Sequence, residues 1–70
     1  MSVSAGKGVL TDAVKLLHRA WNRCKASWTD HAAERFEKDF IDPVEPAARR
    51  ACDAMDRLQS ACDEARRACE

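Results

Sequence analysis

Asp42-Pro43-Val44-Glu45-Pro46 holds both prolines of this chain, and no glycine or proline lies between Gly8 and Pro43 or after Pro46. Proline cannot donate a backbone hydrogen bond and its ring clashes with the preceding turn, so a helix arriving at Ile41 is expected to stop there. A long helix-period pattern lies on each side. The reading is an all-α antiparallel helical hairpin: helix over 10–41, turn over 42–46, helix over 45–69. Residues 1–9, with Ser2, Ser4, Gly6 and Gly8, read as a flexible lead to a single domain over 10–70.

On the N-terminal side, Thr11 is the expected N-cap, with Asp12 in the first turn where the helix dipole favours an acid. The apolar positions then run Leu10, Val14, Leu17, Trp21, Cys24, Trp28. This 4-3-4-3-4 spacing is the seam of a coiled-coil-like helix. Steps of four follow at Ala32, Phe36 and Phe40. Ser27-Trp28-Thr29-Asp30 competes as a turn, with Ser27, Thr29 or Asp30 capping a new helix. The unbroken stripe favours continuity.

On the C-terminal side, Pro46 suits the first turn of a helix. The seam Val44, Ala48, Ala51, Met55, Leu58, Cys62, Ala65, Cys69 alternates four and three without a fault. Ala47, Ala54, Ala61 and Ala68 repeat every seven residues beside it. Two small-residue stripes predict close approach from two sides, one by the first helix and one by another chain. Arg49–Asp53, Asp53–Arg57 and Asp63–Arg67 are expected i,i+4 pairs on the outside.

Seventy residues is near the size at which one core becomes marginal. Much of the 46% apolar content is alanine, so two helices alone cannot shield the larger side chains. Oligomerisation is expected, as a homodimer or with a paralogous hairpin, giving a four-helix bundle. The interface is assigned to Leu17, Trp21, Trp28, Phe36, Phe40, Met55 and Leu58. Large indoles at an interface are typical anchors, and an interface readily supplies a partner for the indole N–H.

Formal charge is zero overall, yet uneven along the chain. Residues 1–28 hold five basic residues against one acid, and residues 29–46 hold six acids against two bases. A uniformly basic nucleic-acid surface is excluded by this balance. The same asymmetry predicts an antiparallel dimer, each acidic turn beside the other chain's basic end. No run reaches the eighteen or so apolar residues of a membrane span, and Met1 to Gly8 lacks the apolar core of a cleaved signal peptide. The expected compartment is cytoplasmic, or outside the cell by a route without a cleaved signal.

For chemistry, Cys24, Cys52, Cys62 and Cys69 contain no C-x-x-C, and their spacings fit no common zinc module, so no metal site is assigned. Pairing about Pro43 brings Cys24 near Cys62 or Ala65, and His18 near Cys69. A Cys24–Cys62 disulfide across the helices, or one between chains, is the alternative to reduced thiols serving as small apolar side chains. There is no nucleophile elbow, no glycine-rich phosphate loop and no paired histidines. Clusters such as Glu34, Glu37 and Lys38 read as solvated faces. No catalytic residue, cofactor or small-molecule substrate is assigned.

The segment Trp28-Thr29-Asp30-His31-Ala32-Ala33-Glu34-Arg35-Phe36 distantly resembles the central motif of the W-x-G family, small helical hairpins associated with type VII secretion. Trp28, Ala32 or Ala33, and Phe36 match by type and approximate spacing. Asp30 stands where the family has glycine, and with no tyrosine present the family's Tyr-x-x-x-Asp/Glu export signal is absent. The resemblance implies pairing into a four-helix bundle and, more weakly, export. The sequence thus points to a non-enzymatic interaction module, a secretion-associated adaptor or substrate. A cysteine-based redox or metal-responsive sensor is the alternative, and a DNA-contacting regulator ranks third.

Overall fold

The computed structural model describes residues 2–69. They are all-α: α1 (Val3–Lys25), α2 (His31–Phe36), a π-helical turn (Glu37–Ile41) and α3 (Val44–Cys69). The Cα trace spans 60 × 18 × 10 Å, a flat two-helix layer. Lys7 on α1 lies opposite Asp56 on α3, and Trp21 packs with Ile41, so the two long helices run in opposite directions.

Residues 1–9 were expected to be a lead, but helix begins at Val3. Ser2 is extended, and its Oγ accepts the Ala5 N–H at 3.1 Å, satisfying one of the free donors of the first turn. Thr11 lies inside α1 and caps nothing. Gly6 and Gly8 are helical, because the cost of one glycine in a helix is only about 1 kcal/mol.

The chain turns at residues 26–30, not at 42–46. α1 closes with the Ser27 and Trp28 N–H groups both donating to the Cys24 carbonyl, at 3.2 and 3.0 Å. Asp30 then starts α2, with extended backbone and Oδ1 accepting the Ala33 N–H at 3.0 Å. The side-chain cap does what a glycine would otherwise be recruited for, and no described residue has a positive φ.

Pro43 fails to stop the rod for a specific reason. A proline in a helix removes one donor and crowds the carbonyl four residues back. Here the helix widens by one residue just before it: the Asp42 N–H reaches the Glu37 carbonyl, five back, at 2.8 Å. Such π turns are a known way of absorbing a local misfit. Asp42 stays in the α region, and Ala47 N–H to Pro43 O at 3.2 Å resumes the regular ladder. The widening also has a packing consequence. It puts Phe36 and Ile41, five apart, on one side of the rod, where both border Leu17 and Trp21.

The core is small. Trp21, Ala33 and Ile41 are buried, with Leu17 and Trp28 packed against them. Leu10, Val14, Val44, Ala48, Ala51 and Met55 are half-buried along the α1–α3 seam. The expected seams therefore hold over the middle of each helix and fail at the ends. Cys24 and Leu58 are exposed, and so are Cys62, Ala65 and Cys69, the last three because α1 covers α3 only to about Ser60.

A candidate interaction face

The turn end carries an aromatic cluster. The Trp21 and Trp28 rings meet edge to face at 5.8 Å between centroids, and Phe36 lies 5.2 Å from Trp21 and 5.8 Å from Trp28. Phe40 continues the row at 5.2 Å from Phe36. Trp21 is 7% exposed, whereas Phe40 is 63% exposed. The cluster is thus covered at one end and bare at the other.

The polar tip of Trp21 is satisfied inside the chain, contrary to the expectation that an interface would supply its partner. Its Nε1–H donates to Glu37 Oε2 at 2.9 Å, and Lys25 Nζ pairs with the same carboxylate at 3.0 Å. The Lys25 bond, and after it the Trp21 bond, hold the Glu37 carboxyl below its ordinary range. The cluster Glu34, Glu37, Lys38 is therefore not uniformly solvated: Glu37 turns inward.

The two sides of the layer differ in how much charge borders them. On one side Thr11, Lys15, His18, Glu45 and Arg49 border a groove floored by Val14, Ala48 and Cys52, and toward the turn Lys25, Glu34 and Glu37 stand beside Trp21, Trp28 and Ala33. The other side is more apolar, with Arg35 and Asp39 at its Phe40 end. Leu17, Ala20, Trp21, Cys24, Trp28 and Phe36 form a shallow groove there, and Phe40 extends it. Stepping back from Cys24 and Ala20 by four and three gives Leu16, Ala13 and Val9 on the same stripe. Leu16 and Val9 are each 61% exposed. Stepping on from Phe40 by sevens gives Ala47, Ala54 and Ala61, with Leu58 between them at 57% exposure.

Of the residues assigned to an interface, Phe36, Phe40 and Leu58 are exposed on this face, and Trp28 is half-buried at its edge. Leu17 and Trp21 reach the floor of the groove but are packed within the core of their own chain, and Met55 is half-buried on the α1–α3 seam. Val9 and Leu16 were missed. Their seven-residue spacing, with Ala13 and Ala20 beside them, was the available signal.

Pairing about Pro43 is overturned, and with it the Cys24–Cys62 disulfide. Cys24 lies near the turn end of α1, and Cys62 lies past Asp56 at the opposite end. Twenty-three residue steps separate them along the axis, roughly 35 Å at 1.5 Å per step. All four thiols are free. By the Lys7–Asp56 register His18 lies level with Glu45, with which it lines one groove, and not with Cys69. The expected outer pairs do not close among the described residues. Asp63 accepts from Gln59 Nε2 at 2.9 Å instead, and the long-range ion pair is Lys7–Asp56 at 2.7 Å. No described helix is long and apolar enough to cross a membrane.

The uneven charge no longer favours an antiparallel dimer. With the turn at 26–30, the basic end of α1 and the acidic segment after Asp30 lie side by side in one molecule, joined by Lys25–Glu37. Comparison with protein-family models, with curated proteins and with solved structures gives no match to this chain.

Proposed function

We propose that this chain is a non-enzymatic helical hairpin whose work is to dock another helical surface onto its apolar side. The observation that carries the reading is the exposure of Val9, Leu16, Phe40 and Leu58 on one side of the layer while charged residues line the other. An apolar surface of this continuity is characteristic of protein–protein contact. Docking two further helices would complete a four-helix bundle around the bare aromatics. The turn at Trp28-Thr29-Asp30 adds modest support to a W-x-G-like adaptor or secretion substrate, since the motif and the bend coincide.

The test is the size of the particle that contains the chain in extracts of its own cells. The native chain should migrate well above its 7.8 kDa, and a Leu16→Glu, Leu58→Glu chain should migrate alone. A native chain that already travels as a single 7.8 kDa species would overturn the reading.

A further inference from the structure

Resting on that reading, we infer that the occupant of the apolar side is a second copy of this chain, turned end for end, so that the α3 end of each copy covers the aromatic cluster of the other.

Area comes first. A folded monomer of 7.8 kDa is expected to expose about 4,400 Å², and this chain exposes 5610 Å². The difference, roughly 1,200 Å², exceeds the about 800 Å² per partner that a standard stable interface buries. A second copy covers such a surface without requiring any other molecule.

Charge and shape then select the arrangement. Arg57 on α3 and Asp39 in the π turn before it are exposed along one rim, and Asp12 and Arg19 are exposed along the outer rim of α1. Since Lys7 lies opposite Asp56 and Trp21 packs with Ile41, the registers of the two helices are linked. Setting Asp39 against Arg57 of the second copy puts the two-fold axis at the level of Ala48, one step from Ala47 on the facing stripe. Asp12 then falls within one step of Arg19 of the second copy. Opposite charges thus meet on both rims at one setting. In this setting Phe40 lies at the level of Asp56 of the second copy, between Ala54 and the exposed Leu58 of the facing stripe. The α3 segment beyond Ser60, beside which no described residue of α1 lies, passes over Trp28 and Phe36 of the other copy. Placing the turns together would stack bulky cluster on bulky cluster and leave both α3 ends bare.

The purified chain should sediment at twice 7.8 kDa. Phe40→Glu should return it to a single chain with its helical circular dichroism retained. With all four cysteines replaced by alanine, Ala47→Cys should cross-link to its own copy on mild oxidation. An equimolar mixture of Leu16→Cys and Ala47→Cys chains should give Leu16–Leu16 and Ala47–Ala47 products. Mixed Leu16–Ala47 products would show the turns together and overturn the arrangement. A purified chain that stays single up to about 100 μM overturns the second copy as occupant. If that same chain travels in a large particle in cell extract, the docking function stands with a different partner. If it travels alone there too, both fall.

Discussion

Glu37 joins Lys25 and Trp21: one carboxylate accepts the indole N–H of Trp21 at 2.9 Å and pairs with the Lys25 ammonium at 3.0 Å. It ties the last turn of α1 to the π turn across the bend. Both partners hold its pKa below the ordinary 4.5, Lys25 more than Trp21. A carboxyl with a depressed folded pKa stabilises above its unfolded value and loses that contribution as pH falls through the folded one. Glu37→Gln keeps an acceptor for the indole but not the charge. The variant should melt below the native chain at pH 7, and the two should converge once the solution is well below pH 4.5. Thermal melts at both pH values would check this, and a gap unchanged in acid would refute it.

Asp30 is the only side chain that caps α2. Asp30→Ala should cost about 1 kcal/mol, as the loss of an N-cap usually does. Thr29→Ala, in the same bend without a capping bond, should stay within about 0.5 kcal/mol of native. Chemical denaturation of the two variants separates them, and equal costs would mean that the cap is not what sets the bend.

Gly6 and Gly8 lie inside α1, and a Cβ added at either meets nothing within 4 Å. Each Gly→Ala change should stabilise by about 0.5–1 kcal/mol through the lower entropy of the unfolded chain and better helix propensity. A denaturation midpoint that falls in either variant would show that the first turns of α1 are not helical in solution.

Oxidation should leave Cys24 and Cys62 of one chain unlinked. A disulfide needs Cα atoms about 4.4–6.8 Å apart, and these thiols lie at opposite ends of the layer. Peptide mapping after mild oxidation of dilute chain checks this, and an intrachain Cys24–Cys62 peptide would require helix pairing about Pro43.

The periodicity of Leu10, Val14, Leu17 and Trp21, and of Val44, Ala48, Ala51 and Met55, was legible because burial follows the 3.6-residue repeat directly. The place of the bend was not. The expected stop at Pro43 weighed the lost donor and the ring clash, but a one-residue widening relieves both, and nothing in a helical wheel signals it. At the true bend, Asp30 carried the signal. It was weighed and set aside because the apolar stripe runs through Trp28, which indeed packs while the backbone around it turns. The register followed the bend, so the thiol pairing and the charge argument failed together. Phe40 and Leu58 are exposed, as an interface assignment requires, whereas Trp21, expected at an interface for the size of its ring, is covered within the chain with its N–H on Glu37.

Both tryptophans of the chain stand within 5.8 Å of each other at the turn end. Their emission therefore monitors that end alone, while amide ellipticity averages over every helical turn. Followed together on heating, the two signals form a ruler along the rod. Any temperature gap between them measures how far the distant turns fray before the indoles separate.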